Sequence, residues 1–346
     1  MDHYERNAYL SPCWEGLRVE NESLFVLADA DGTVPAVDLL YPIDRIEEVR
    51  SSDLSVLYKE GVDYAVLDGK FAVLPGGSIP VTAHNEFFME EKPADGGAFR
   101  CTLGGFIFFG EKSAMHTRQI SITYTHRELW DGYVPESKAR LLPRTHTLLE
   151  EQKPLRVLVY GDSISTGVNS TGRIEVPPFA EDWPHMVVGA LSDRYGAKID
   201  LVNTAVGGTG IKWGIENAKA LACDHHPDLC IIGFGMNDGG TEPEEEANRI
   251  AELCDLIRKD NPKCEFLLLS TMLPHRIVTG FYGKQEGHLA YLLSHEQRGV
   301  AVCNITSMHA SYLRRKRYFD MSGNNVNHPN DFLARMYAQT ILATIG

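Results

Sequence analysis

Four short segments in the second half of the chain hold residue types that can do acyl-transfer chemistry. Gly161-Asp162-Ser163-Ile164-Ser165 sets a serine in a tight turn where its hydroxyl can be exposed and its own N–H free. Asn203-Thr204-Ala205-Val206-Gly207-Gly208 ends in paired glycines, Gly235-Met236-Asn237-Asp238 offers a side-chain amide, and Asn325-Val326-Asn327-His328-Pro329 brings a histidine. A serine hydroxyl is a poor nucleophile until a hydrogen-bonded imidazole takes its proton during attack. Attack on an ester leaves a developing oxyanion that N–H donors must meet. Gly-Asp-Ser alone is common in turns, so the weight lies on where the four segments fall relative to strands and helices.

Five apolar runs supply the strands: Leu155 to Tyr160, Ile199 to Asn203, Leu229 to Phe234, Glu265 to Ser270 and Val300 to Asn304. Runs of this kind, rich in Val, Ile and Leu, are those of buried parallel strands. Amphipathic stretches lie between them. The clearest runs from Pro243 to Arg258, opening with proline and acids and aligning Ile250, Leu253 and Ile257 in one stripe. The alternation predicts a doubly wound, flavodoxin-like three-layer α/β fold, in which ligands sit beyond the carboxyl ends of the strands. The serine segment follows the first strand, the glycine pair the second and Asn237 the third, while His328 precedes a final helix from Asp331 to about Ile345.

Ahead of this half the signals are short and strand-like. Val62 to Leu67, then Asp68-Gly69, then Lys70 to Leu74 is a two-residue hairpin pattern, and Gln119 to Thr125 alternates polar and apolar. With turns such as Pro75-Gly76-Gly77, this predicts an antiparallel β-sandwich, jelly-roll-like, over residues 1–135. Pro135, Pro143 and Pro154 mark residues 136–154 as a connection, and residues 155–346 form the α/β half.

Composition narrows the function classes. With 346 residues, two domains are the better expectation. A net charge of −14 argues against nucleic acid and against anionic membrane surfaces. No apolar run is long enough to span a bilayer, and the first residues lack the basic-then-apolar pattern of a signal peptide. Seven cysteines without paired C-x-x-C spacing fit reduced thiols, hence an expected cytoplasmic location.

The four segments, in this order, resemble the SGNH (GDSL) hydrolase superfamily. The resemblance implies Ser163 as nucleophile, His328 as general base, and an oxyanion hole formed by the N–H groups of Ser163 and Gly208 with the side-chain amide of Asn237. It implies neither a metal nor an organic cofactor. Most members carry an aspartate three residues before the histidine, where this chain has Asn325. An amide oxygen can accept the histidine Nδ1–H but offers no charge to the imidazolium. Asn325, Asp320, Asp331 or a backbone carbonyl are therefore alternative partners for His328, with Asp331 more simply the N-cap of the last helix. A β-sandwich ahead of an SGNH domain is also the order of the second carbohydrate-esterase family, members of which can work with a Ser–His dyad. The implied function is a serine esterase removing an acyl group, acetyl first, from a carbohydrate. A lipase- or thioesterase-like acylhydrolase and a non-catalytic carbohydrate-binding protein are the alternatives.

Other conspicuous residues have plainer readings. His225 and His226 are adjacent and point to different faces, which does not make a metal pair. Glu244, Glu245 and Glu246 suit a helix N-terminus. Trp183 and Trp213 could stack on a sugar ring, with core packing the more frequent role of such residues.

Overall fold

A computed structural model of the chain describes residues 4–94 and 96–346. The eight N-terminal strands are β1 (Arg18–Phe25), β2 (Arg45–Ser51), β3 (Tyr64–Leu67), β4 (Lys70–Val73), β5 (Phe88–Met89), β6 (Ala98–Arg100), β7 (Phe106–Phe108) and β8 (Gln119–Thr125). They form three small antiparallel sheets, ordered β1-β8-β2, β3-β4 and β5-β7-β6. The hairpin between β3 and β4 turns on Asp68 and Gly69, both at positive φ (50° and 78°), the conformation that makes Asp-Gly the preferred two-residue link. In β8 the polar alternation does not mark a solvent face. Ser121 donates to Asn21 Oδ1 (2.8 Å), and the Gln119 amide donates to the carbonyls of Phe319 and Ser322 (3.0 Å each), so both faces are covered.

The C-terminal half carries a five-stranded parallel sheet of β9 (Leu155–Gly161), β10 (Ile199–Asn203), β11 (Leu229–Gly233), β12 (Glu265–Leu269) and β13 (Val300–Cys303), ordered β10-β9-β11-β12-β13. This is the expected doubly wound order. The chain reverses direction across the sheet at β9, between β10 and β11, where crevices open beyond the strand ends. Alternate β9 side chains serve the two layers. Val157 and Val159 pack with Trp183 and Met336 on one face, Leu158 and Tyr160 with Ile250 and Leu253 on the other. The helix Pro243–Asp260 opens with proline and three acids, and buries Ile250, Leu253 and Ile257 as their spacing predicts.

Residues 136–154, expected as a connection, are partly helical. The helix Pro143–Glu150 lies within them, burying Leu149, and its first N–H groups, those of Arg144 and Thr145, bond the carboxylate of Glu265 on β12 (2.9 and 2.7 Å). A carboxylate at a helix N-terminus meets unpaired donors and the positive end of the dipole.

One continuous apolar cluster joins the two halves, running from Val19, Leu24 and Ile120 through Phe332, Met336 and Ile341 to Val157 and Val159. The helix Asp331–Ile345 is buried on nearly every side because it lies between the parallel sheet and the N-terminal strands. Its N-cap is Asn330, whose Oδ1 accepts from the N–H of Leu333 (3.1 Å), one residue before the Asp331 expected from sequence. A buried ion pair reinforces the junction. Glu22 of β1 meets Lys316, and its oxygens also accept from Tyr124 Oη (2.8 Å) and the N–H of Leu40 (2.8 Å).

Candidate active site

The loops after β9, β10 and β11 converge at the switch point. Gly161 ends β9 where an added Cβ would stand 2.3 Å from the Gly233 carbonyl oxygen, so only glycine fits between these strands. Asp162 turns inward. Its carboxylate accepts from the N–H groups of Ile164 and Met236, tying the serine turn to the loop after β11, and burial, with Asp238 nearby, pushes its pKa up to about 7. The N–H of Val206 bonds the Gly161 carbonyl (3.0 Å), and Asn203 Nδ2 bonds the Ser165 carbonyl (2.8 Å), fastening the second loop to the first. Asp238 takes the N–H of Ile211 on both carboxylate oxygens (3.1 Å each), fastening the third loop to the second.

On this frame Ser163 is nearly buried, and its Oγ stands 2.9 Å from Nε2 of His328. Among the described residues, neither the N–H of Ser163 nor that of Gly208 donates a hydrogen bond. Gly208 sits at φ 77° with open space where a Cβ would be, so its backbone conformation rather than crowding calls for glycine. Asn237 is exposed on a short turn. One of its Nδ2 hydrogens goes to the Thr209 carbonyl (2.9 Å), which leaves the other available.

The loop that delivers His328 is organised by Asn324, whose Oδ1 accepts the N–H groups of Val326, Asn327 and His328 (2.9, 3.0 and 3.0 Å). The histidine's own carbonyl takes Ser322 Oγ and the N–H of Gly323 (2.9 Å each). Its backbone is thus fixed on both sides of the ring.

Among the described residues none of the four sequence-based alternatives meets Nδ1: no backbone carbonyl bonds it, and the three side chains turn elsewhere. Asn325 lies at φ 69° and sends its Nδ2 to the Phe108 carbonyl (2.8 Å), away from the ring. Asp320 caps Arg317 and accepts the N–H of Phe25 (3.0 Å). Asp331 is engaged by the N–H and hydroxyl of Thr171 (2.9 and 2.7 Å). Instead Asn169, six residues after Ser163, places its Oδ1 2.9 Å from His328 Nδ1. Its Nδ2 faces two acceptors, the carbonyls of Gly323 (3.2 Å) and Lys112 (3.4 Å), so the amide has one favourable orientation and its oxygen must face the ring. His328 then carries its proton on Nδ1 and presents a lone pair from Nε2 to the serine. Asn169 escaped the sequence reading because it belongs to no motif. Its φ of 64°, a conformation asparagine tolerates, is its one local oddity.

The remaining candidates fall elsewhere. Trp183 is fully buried, stacks on Tyr337 (6.0 Å between ring centroids) and donates Nε1 to the Ile164 carbonyl (2.9 Å), so it supports the serine turn from beneath. Trp213 packs in the layer beyond Tyr160. His225 closes a short turn, and no cluster of three or more His, Cys, Asp or Glu side chains is arranged to hold a metal among the described residues. None of the described helices is long and apolar enough to cross a membrane.

Known proteins share this half of the chain. The profile of the GDSL-like Lipase/Acylhydrolase family matches residues 159–334, just over half of the sequence. An arylesterase of Vibrio mimicus is 26% identical over 149 residues, 41% of this chain and 67% of the relative. Thioesterase 1/protease 1/lysophospholipase L1 of Escherichia coli (strain K12) is 26% identical over 120 residues, 34% of this chain and 51% of the relative. Among solved structures, a two-domain esterase active on acetylated mannans is 19% identical with a TM-score of 0.48, over 61% of this chain and 53% of that one. An acetylxylan esterase from Geobacillus stearothermophilus is 16% identical with a TM-score of 0.46, over 56% and 94%.

Proposed function

Since the chain belongs to the GDSL-like lipase/acylhydrolase family, we propose that it is a serine esterase working through an acyl-enzyme on Ser163. The observation that carries this is the continuous relay of Ser163 Oγ, His328 and Asn169 Oδ1, each contact 2.9 Å. As Oγ attacks the acyl carbon, its proton passes to Nε2. The tetrahedral oxygen is received by the N–H groups of Ser163 and Gly208 and by Asn237 Nδ2. The proton on Nε2 goes to the leaving alkoxide as the acyl-enzyme forms, and water repeats the sequence to release the acid.

A small acyl group on a polar alcohol suits the surroundings. Beside the histidine Asn169, Asn324 and Asn327 are buried, while the Glu111 side chain keeps 40% exposure, and a long alkyl chain laid over that carboxylate would strip water from a charge it cannot bond. The finer reading, an acetyl ester of a carbohydrate, rests on an antiparallel β half preceding the catalytic half, the order of the carbohydrate esterases this sequence resembles. Turnover of p-nitrophenyl acetate against longer-chain esters, followed by a panel of acetylated oligosaccharides, tests both levels. Ser163→Ala is expected to fold and to lose several orders of magnitude in rate. A fluorophosphonate should label Ser163 one-to-one in the wild type. Near-wild-type turnover by Ser163→Ala would sink the assignment, and preference for long acyl chains would favour the lipase reading.

A further inference from the structure

The Nδ1 side of His328 has a second neighbour, and it comes from the N-terminal half. Glu111 lies just after β7 and places Oε1 3.4 Å from Nδ1 while its side chain keeps 40% exposure. It is not adrift on the surface. Oε1 also accepts from Asn324 Nδ2 (3.0 Å), the same residue whose Oδ1 organises the histidine loop. The backbone around Glu111 is laced to the catalytic loops on both sides. Phe108 O takes Asn325 Nδ2, the N–H of Gly110 bonds Asn324 O (3.4 Å), and Lys112 O takes Asn169 Nδ2 (3.4 Å). The asparagine that stands where related enzymes carry an acid is thus used to hold the β7 segment that brings an acid in.

Asn169 and Glu111 offer Nδ1 different things. A pinned amide oxygen fixes the tautomer but brings no charge, whereas the imidazolium that forms when Ser163 gives up its proton is cationic. We propose that Glu111, delivered by the N-terminal half, is the charged positioning residue of the relay, stabilising the His328 imidazolium while Asn169 sets its orientation. The inference rests on the Ser163–His328 reading given above. Glu111 takes no proton in the cycle. The proton moves from Ser163 Oγ to Nε2 and on to the leaving oxygen, and Nδ1–H stays on the ring. Partial burial alone would raise the carboxyl's pKa, but the bonds with His328, Asn324 and Asn169 outweigh it and hold the group below the usual glutamate range, so it is ionised at neutral pH.

The test uses the full chain with p-nitrophenyl acetate and three variants, Glu111→Gln, Glu111→Asp and Glu111→Ala. Gln keeps an acceptor for Asn324 and removes only the charge. It is expected to lower kcat about ten- to a hundredfold, with KM and melting temperature unchanged and Asp recovering part of the loss. Added formate should raise kcat of Glu111→Ala but not of the wild type, since the half-exposed position can admit a small carboxylate. Wild-type kcat in Glu111→Gln, alongside an active wild type labelled at Ser163, would overturn the inference and leave the esterase reading standing. A loss that tracks melting temperature, with no recovery in formate, would reduce Glu111 to a tie for Asn324 and overturn it as well. An inactive wild type unlabelled at Ser163 would remove both readings together.

Discussion

Asn169 Oδ1 and His328 Nδ1 meet at 2.9 Å across 159 positions of sequence, and the two carbonyls opposite Asn169 Nδ2 leave its amide no second orientation. That pairing stands where most members of the family use an aspartate three residues before the histidine.

Removing the amide should release the tautomer. Asn169→Ala is expected to lower kcat by about a hundredfold or more with little change in KM. Asn169→Asp should not improve on the wild type, because its second oxygen would face the carbonyls of Gly323 and Lys112. Asn325→Ala should cost far less rate than either Asn169→Ala or His328→Ala. Steady-state kinetics on the set decides it, and an Asn325→Ala variant as impaired as His328→Ala would reverse the assignment.

Loss of the side-chain donor in the oxyanion hole gives a different pattern. Asn237→Ala should reduce kcat about a hundred- to a thousandfold with a smaller effect on KM. Its bond to Thr209 supplies the competing explanation, a purely structural tie between loops. A variant that loses folding cooperativity, or changes KM alone, would support that tie.

Stability should depend on the buried pair at the junction of the halves. Lys316→Met removes the cation that meets Glu22 in a fully buried site, at a cost of about 3–5 kcal/mol. Pairing it with Glu22→Gln, which keeps acceptors and donors for its neighbours, should recover part of the loss. Urea unfolding of the two single variants and the double variant would show this as non-additivity, and strictly additive losses would argue against a coupled pair.

Burial also gives a pH-dependent term. Glu246 stands behind the Asn237 loop, fully enclosed beside His288, and burial, with Asp238 adding, pushes its pKa from 4.5 up to about 8. A carboxyl raised on folding favours the native state below its unfolded value and loses that contribution as pH climbs through the folded one. Glu246→Gln should therefore lack this one contribution to the pH dependence and gain on the wild type between about pH 4.5 and pH 8. Melting curves across that range check it, and parallel pH dependences in the two proteins would contradict it.

Much of the architecture was legible in order and spacing. The five parallel strands and the long helix from Pro243 follow from apolar runs and periodicity, and the Asp68-Gly69 hairpin from turn chemistry. The loops carrying Ser163, Gly208 and Asn237 could be placed because each follows a strand end. The partners of His328 could not, for a physical reason: Asn169 and Glu111 reach it through tertiary packing, and nothing in their own neighbourhoods distinguishes them from solvated loop residues. Trp183 was ambiguous on similar grounds, since an indole suits a sugar face as well as the underside of a turn until its N–H finds the Ile164 carbonyl.

The buried helix Asp331–Ile345 has a consequence for how the protein is made. It follows every strand among the described residues, yet Gln339 bonds the carbonyls of Tyr9 and Ser11 (2.9 and 2.8 Å), and Lys316, in the connection ahead of the helix, reaches back to Glu22. The N-terminal strands thus meet this packing surface only after all five strands of the parallel sheet have been made. Contacts of such long sequence separation pay their loop-closure entropy before any return, which slows folding and lengthens the exposure of unpaired edges. A nascent polypeptide halted before residue 331 is therefore expected to display an apolar β surface suited to chaperone capture.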